Sequence, residues 1–383
     1  MKKFTLILAT VALLAAGCTK TEVVGPQNRK GINFAAYTAK TTKALQTDVT
    51  TGNLSAFEVT AFGNGALYFD NVTFTKSTVW ESTPKYFWPA FPLTFCAYNT
   101  PIVYDKVAQA TGFERTITTT KQQLDVAPAA ELAYQQDLVA AYAAGKRASD
   151  AVNTNHSLSL TFNHYLTQVI VNAKNARSDI YKVEVESVKI ANMAGRGIYT
   201  FSTYTMEALP GLKNNKYSKD YTATFTAKTL ESDAKEVMTD AGKGRWYLIP
   251  QTVTSWNPNT PFNPRTNSAN DSHGTYLALK VKITANNGAL KIYPATSDES
   301  GNYKSGWMAV PIPSGLKFEQ GKKYTVNINF FANNGAGYVD PEDPSELDGD
   351  NQTPDNGKKI IGGEIKFKAT VTNWTDVTVN INL

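Results

Sequence analysis

The chain has 383 residues, of which 42% are hydrophobic and only 19% are charged, a composition that excludes charge-driven disorder and suits about two domains. The net charge of +5 includes Lys2 and Lys3 and falls to +3 without them, which is too small for the basic surface of a nucleic-acid-binding protein. Three His and two Cys argue against a His/Cys zinc site and exclude a disulfide framework.

Residues 1–18, MKKFTLILATVALLAAGC, have the features of a bacterial export signal. Two lysines precede an apolar run of 13 residues (Phe4 to Ala16), which is too short to span a bilayer. Small residues then precede Cys18, and this arrangement resembles the lipobox of bacterial lipoproteins, although Ala15 stands where that box prefers Leu. The resemblance implies a lipoprotein signal peptide over 1–17, lipid on Cys18 and anchoring to a membrane. The alternative is an ordinary cleaved signal peptide with an incidental Cys.

After a polar tether over 18–30, alternating apolar residues predict β-strands along the rest of the chain. They occur in GINFAAYT, AFEVTAF, LTFCAY and YKVEVESVKI, and around residues 277–283 and 324–330. Turn-forming residues cluster between these segments, which favours β-sandwiches. The Ala-rich segment 129–146 is an exception, because its propensity favours a helix. Polar composition near 150–160 predicts a boundary between an N-terminal sandwich over 31–155 and a C-terminal sandwich over 156–383.

Few side chains in the sequence point to chemistry. His164 has no accompanying nucleophile motif, so it is interpreted as a hydrogen-bonded structural residue, and Cys96 lies in an apolar run typical of an inert core thiol. The acidic segment 340–356 indicates a solvated loop, with a calcium site as the alternative. Exposed tryptophans would favour a glycan-binding surface lipoprotein as the alternative function, and four positions are open to that interpretation: Trp80, Trp246, Trp256 and Trp307.

Several segments, taken together and in this order, resemble the fimbrillin family, the pilin class of lipid-routed type V pili in Gram-negative anaerobes. They are GINFAAYTAKTTKA, YFWPAFPLTFCAYNTP, QQDLVAAY, LSLTFNHYLTQVIV, LIPQT, GKKYTVNINF and GGEIKFKATVTNWTDVTVNI, and they run from about residue 31 to 383. The resemblance implies an all-β protein of two tandem transthyretin-like β-sandwich domains, so that QQDLVAAY should be a strand despite its helix propensity. It also implies a structural and adhesion protein, not an enzyme, without catalytic residues or cofactors.

In this family a lipid delivers the subunit to the outer membrane, and a trypsin-like protease then removes the first strand. The resemblance implies that the inward face of the released strand consists of Ile32, Phe34 and Ala36. It places the cleavage at Lys43 or the nearby Lys40, where the family often has Arg. If no protease accepts these lysines, the chain would instead be an uncut anchor or accessory subunit.

The C-terminal residues are candidates for the strand that fills the groove of another subunit. Their apolar side alternates with polar residues up to the end of the chain, and its members are Val377, Val379, Ile381 and Leu383. The same pattern would also fit a strand that pairs within its own domain. The expected partners are other pilin subunits, the outer membrane through Cys18, and a host or bacterial surface ligand, and the expected location is a surface-exposed, lipid-anchored fimbrium.

Overall fold

The computed structural model describes residues 30–38, 49, 53–99, 114–152, 156–209, 218–238, 244–259, 274–285, 288–294, 303–342, 347–348, 353–354, 357–361 and 365–373. These residues form strands and two 3₁₀ turns, Leu132–Tyr134 and Ala148–Asp150. None of the helical turns in this part of the chain has the length and hydropathy of a membrane span. The predicted all-β class is therefore confirmed.

In chain order the strands are β1 (Phe34–Thr38), β2 (Ala56–Gly63), β3 (Ala66–Lys76), β4 (Trp80–Ser82), β5 (Leu93–Tyr98), β6 (Glu114–Ile117), β7 (Gln122–Val126), β8 (Val139–Lys146), β9 (Leu158–His164), β10 (Thr167–Asn175), β11 (Tyr181–Ala194), β12 (Gly197–Thr200), β13 (Thr205–Ala208), β14 (Ser218–Thr229), β15 (Lys235–Glu236), β16 (Trp246–Leu248), β17 (Gln251–Thr252), β18 (Tyr276–Ala285), β19 (Leu290–Tyr293), β20 (Gly306–Pro311), β21 (Lys317–Phe318), β22 (Lys322–Phe330), β23 (Tyr338–Val339), β24 (Leu347–Asp348), β25 (Thr353–Pro354) and β26 (Lys366–Asn373).

The first unit of the fold is a closed barrel in the order β1-β4-β3-β2-β5-β8-β9. Its interior is filled by buried side chains from alternate positions of these strands. β5 illustrates the alternation, because Leu93 and Phe95 face this interior, whereas Cys96 and Tyr98 on the opposite face lie in a second apolar cluster. Both faces of the strand predicted in LTFCAY are thus covered by protein.

The C-terminal part of the Ala-rich segment forms β8, against its helix propensity. The strand begins at Val139, so only the second half of QQDLVAAY is a strand, and Leu132–Tyr134 form a 3₁₀ turn. β8 pairs with β5 on one side and with β9 on the other. The side chains of Ala140 and Ala141 are buried there, one on each face of the sheet. The helix preference of Ala is worth less than about 1 kcal/mol per residue, so pairing on both edges and burial on both faces outweigh it.

A separate four-stranded sheet has the order β13-β12-β7-β6. It joins strands from both halves of the sequence, since Gln123 of β7 lies opposite Thr200 of β12. An ion pair strengthens this junction, with Nε of Arg196 donating to Oδ1 of Asp125 at 2.6 Å. The two halves of the molecule are therefore connected by main-chain pairing and by charge.

The second unit is a β-sandwich. One sheet has the order β15-β10-β22-β26, with β16 beside β10, and the other has the order β14-β11-β18-β20-β23, with β19 beside β18. The largest apolar cluster among the described residues draws its buried side chains from both sheets. β9 follows the predicted boundary in sequence but pairs within the barrel. The barrel thus includes a strand from residues 158–164.

Candidate functional site

The candidate site is β1, the strand that closes the barrel. It runs parallel to β9 over five residue pairs, from Phe34 opposite Leu158 to Thr38 opposite Phe162. On its other side it meets β4 at one pair, where Phe34 lies opposite Trp80. β1 therefore has a continuous ladder along one edge and a single point of pairing along the other.

Main-chain hydrogen bonds also hold the residues that lead into β1. The N–H of Ile32 donates to the carbonyl of Tyr86 at 2.8 Å, and the N–H of Trp88 donates to the carbonyl of Lys30 at 3.1 Å. Between these two hydrogen bonds, Gly31 forms an antiparallel β-bridge with Phe87. The chain from residue 30 to the end of β1 is thus bound along its whole length to the barrel.

The side chains of this segment alternate between the barrel interior and solvent. Ile32 and Phe34 are buried, and Ala36 is half-buried against the same core. The ring of Phe34 meets the rings of Phe74 and Phe95 edge-on, at centroid distances of 4.8 Å and 5.3 Å. Burial of a side chain such as Ile or Phe contributes about 1.5–3 kcal/mol. The three residues predicted for the inward face therefore lie inward, and two of them fill the core.

A buried polar cluster holds Val49, the first described residue after β1, against the barrel. The N–H of Val49 donates to Oδ2 of Asp137 at 2.6 Å. The same oxygen lies 2.9 Å from Nδ1 of His164, and both side chains of this pair are almost completely buried. Nδ2 of Asn99 donates to the main-chain oxygen of Asp137 at 3.0 Å. The chain is therefore held by hydrogen bonds on both sides of the predicted cleavage segment.

The contact with Asp137 agrees with the structural, hydrogen-bonded role predicted for His164. Sequence reasoning did not single out Asp137 or Val49. A carboxylate directly before an apolar strand could have been the signal for Asp137, because burial of a carboxylate requires partners. No pattern in the sequence distinguishes Val49 from other apolar residues, so its role is visible only in three dimensions.

Several predicted site residues lie outside the described part of the chain. They are Cys18, Lys40, Lys43, Val377, Val379, Ile381 and Leu383. The last described strand, β26, ends at Asn373 and forms the terminal strand of its sheet, with β22 as its neighbour. The predicted donor residues follow directly after this strand in the sequence.

Three of the four tryptophans that could have served a glycan site are buried in the protein. Trp80, Trp246 and Trp256 are buried, and Trp307 is half-buried with Nζ of Lys189 lying 4.8 Å from its ring centroid. Within the described ranges no Trp is an exposed residue. The glycan-binding alternative therefore finds no tryptophan platform in this part of the protein.

Two further predictions about chemistry can be compared with the structure. Burial raises the pKa of the Cys96 thiol to about 12, so the thiol is protonated at neutral pH, in agreement with an inert core residue. Asp340, the first residue of the segment expected to be a solvated loop, is instead fully buried. Within the residues that the structure covers, no group of three His, Cys, Asp or Glu side chains is arranged to hold a metal ion.

Most of the chain matches a known protein family. A family model described as Fimbrillin-like matches residues 21–374. The chain belongs to the fimbrillin-like family. This confirms the family resemblance seen in the order of the sequence segments. A search of curated proteins found no significant match.

Three solved structures of bacterial fimbrial proteins are similar to this chain. A fimbrial protein from Bacteroides vulgatus ATCC 8482 is 16% identical, with a TM-score of 0.54 and coverage of 91% of this chain and 100% of its own. A fimbrilin from Porphyromonas gingivalis W83 is 12% identical, with a TM-score of 0.43 and coverage of 92% and 99%. The fimbrial anchor protein Mfa2 from Porphyromonas gingivalis is 9% identical, with a TM-score of 0.31 and coverage of 79% and 91%. The first of these supports the fold of the fimbrillin-like chain.

Proposed function

We propose that this chain is a structural and adhesion subunit of a fimbrillin-type pilus, assembled by release of its first strand and exchange for a strand of another subunit. The observation that carries the proposal is the placement of β1, whose inward side chains complete the barrel core although β4 pairs with it at a single residue. Membership of the fimbrillin-like family supports the role of pilus subunit. The fimbrial protein from Bacteroides vulgatus, which shares the fold, is consistent with it.

Removal of β1 would leave a groove that another strand can fill. Its walls would be β9 and β4, and its floor would be the rings that now surround Phe34, including those of Phe74 and Phe95. Exposed strand edges and apolar pockets are unfavourable in water. A donor strand restores the main-chain hydrogen bonds and fills the pockets with alternate side chains. Repetition of this contact from head to tail produces an open filament.

The remaining steps of the proposal depend on residues outside the described part of the chain. Lipid on Cys18 anchors the exported subunit to the outer membrane at the cell surface. A Lys-tolerant protease cuts after Lys43 or Lys40, between β1 and Val49. The alternating residues 377–383 supply the donor strand for a neighbouring subunit. The partners are therefore other pilin subunits and the membrane, together with an adhesion ligand that the pilus presents.

Limited digestion with trypsin tests strand release. In the purified full chain we expect a cut between β1 and Val49 that leaves a stable core and starts polymerisation. Gel electrophoresis detects the cut, and electron microscopy detects the polymers. A chain with Lys40→Ala and Lys43→Ala should remain monomeric. Lys121→Ala, which removes an exposed lysine of a turn far from β1 in sequence, should behave like the wild type. Polymers formed by the Lys40/Lys43 variant would refute the proposed cleavage.

Two further variants separate the other steps. Deletion of residues 377–383 should leave the cut unchanged but abolish polymerisation, and polymers of normal length from this chain would exclude the C-terminal donor. Cys18→Ala should move the protein out of the membrane fraction without changing the digestion pattern of the core. The glycan-binding alternative makes a different prediction. The protein would be retarded in glycan-containing gels with or without residues 377–383, and the intact chain would form no polymer.

A further inference from the structure

A buried lysine and a buried aspartate meet across the second sheet of the sandwich. Nζ of Lys189 on β11 lies 3.1 Å from Oδ2 of Asp340, which follows β23, and the two side chains are 9% and 0% exposed. Two strands, β18 and β20, lie between β11 and β23. The residues of these strands in register with Lys189 are Ala278 and then Ala309. Their small side chains leave the space through which the lysine and the aspartate reach each other.

The two oxygens of the Asp340 carboxyl have different surroundings. Oδ1 accepts hydrogen bonds from the hydroxyl of Tyr276 and from the N–H of Glu342, both at 2.9 Å. Oδ2 faces the amine of Lys189. Donors directed at one oxygen of a carboxyl group stabilise negative charge that develops there when a nucleophile attacks the carbon. The carboxyl is therefore polarised for attack, with Oδ2 on the side of the amine.

Tyr276 is suited to this role because it keeps its proton. Its burial, together with the neighbouring carboxylates of Asp340, Glu342 and Asp220, raises the pKa of Tyr276 well above its usual value. The hydroxyl therefore acts as a donor toward Oδ1 throughout the physiological range of pH. Its ring lies against that of Trp256, at a centroid distance of 5.5 Å.

Aromatic side chains separate the pair from water. The ring of Trp307 lies 4.8 Å from Nζ of Lys189, and the main-chain oxygen of Trp307 accepts the N–H of Asp340 at 3.1 Å. Buried opposite charges carry a desolvation cost that their attraction does not always offset. Conversion of the pair into a neutral group would remove this cost, and the absence of bulk water would disfavour the reverse hydrolysis.

We propose that Lys189 and Asp340 react with each other to form an intramolecular isopeptide bond. A proton passes from the ammonium group to Oδ2, and the neutral Nζ then attacks Cγ. Negative charge collects on Oδ1, where the Tyr276 hydroxyl and the Glu342 N–H stabilise it. Oδ2 takes a second proton from the nitrogen and leaves as water, so that the Nζ–Cγ bond forms and the Cγ–Oδ2 bond breaks. The ion pair contains every atom of the products, and the step needs no oxidant, reductant or cofactor.

The bond would join β11 covalently to the segment after β23, across the four strands β11, β18, β20 and β23. It would close a loop of the chain between positions 189 and 340, which restricts the unfolded state in the way that a disulfide does. This inference does not depend on release of β1 or on polymerisation. Its success or failure can therefore be separated from that of the proposed function.

The intact mass of the full chain, measured under denaturing conditions after its N-terminus has been determined, decides the question. The wild type should be lighter than its sequence requires by the mass of one water molecule, and a tryptic digest should contain the Lys189 peptide joined to the Asp340 peptide. Lys189→Met and Asp340→Ala should each have the full mass of their sequences. A wild-type chain at full mass, with the two peptides separate, would overturn the proposal whether or not these variants fold.

Two variants test the chemistry and its specificity. Tyr276→Phe keeps the ring but removes one donor to Oδ1, so we expect a mixture of linked and unlinked chains. Complete linkage in that variant would refute a catalytic role for the Tyr276 hydroxyl. Lys280→Met is the matched control, because it removes a lysine from a half-exposed ion pair with Glu186 in the same sheet. This control should still show the loss of one water.

Discussion

Replacement of Phe34 by Ala tests whether β1 contributes to the core of the barrel as the structure indicates. Phe34 has no exposed surface, and its ring lies 4.8 Å from that of Phe74 and 5.3 Å from that of Phe95. Removal of a buried Phe costs about 3–5 kcal/mol, because transfer energy is lost and a cavity remains. Rigid rings on several sides hinder collapse of the cavity, so we expect a loss of about 4 kcal/mol in the free energy of unfolding. Since single domains are stable by about 5–15 kcal/mol, the variant should still fold.

Urea unfolding followed by tryptophan fluorescence measures this loss. Tyr37→Ala is the matched control on the same strand, because Tyr37 points outward with 49% of its surface exposed, and we expect a change within about 0.5 kcal/mol. If a protease then removes β1 from both proteins, the wild-type and Phe34→Ala cores should have equal stability. A loss below about 1 kcal/mol for Phe34→Ala, or an equal loss for Tyr37→Ala, would refute the assignment of β1 to the core.

Three further predictions concern other parts of the protein. Cys96 should react with a maleimide at neutral pH only after unfolding, because burial raises the pKa of its thiol to about 12, and fast labelling of its peptide in the folded chain would contradict this. A hydrogen bond from Arg115 lowers the pKa of Asp70, so this ion pair stabilises the fold above the pKa that Asp70 has in the unfolded chain, and the stabilisation is lost as the pH falls through its pKa in the folded chain. The difference in free energy of unfolding between the wild type and Arg115→Met should therefore become smaller below about pH 4. A larger difference in acid would contradict this prediction. Asp137→Ala should cost about 3–5 kcal/mol in urea unfolding and accelerate proteolysis near Val49, whereas unchanged proteolysis would show that this carboxylate does not hold the chain.

The local pattern of the sequence was sufficient to locate many of the strands. Alternating apolar residues predicted the segments that became β1, β2, β5, β11, β18 and β22, because the side chains of a strand point alternately to its two faces. The same alternation indicated which side chains of β1 lie inward, since Ile32 and Phe34 share one face and Tyr37 lies on the other. The order of the segments was also sufficient to identify the fimbrillin-like family.

Tertiary structure decided the features that depend on partners distant in the chain. The C-terminal part of the Ala-rich segment is a strand because β5 and β9 pair with the two edges of β8, and β9 completes the barrel by pairing with β1 and β8. The contacts of Val49 with Asp137 and of Lys189 with Asp340 likewise join residues far apart in the sequence. Alternation reports which face of a strand is apolar, but it carries no information on which other strand satisfies its hydrogen bonds. That choice is made only when the whole chain packs.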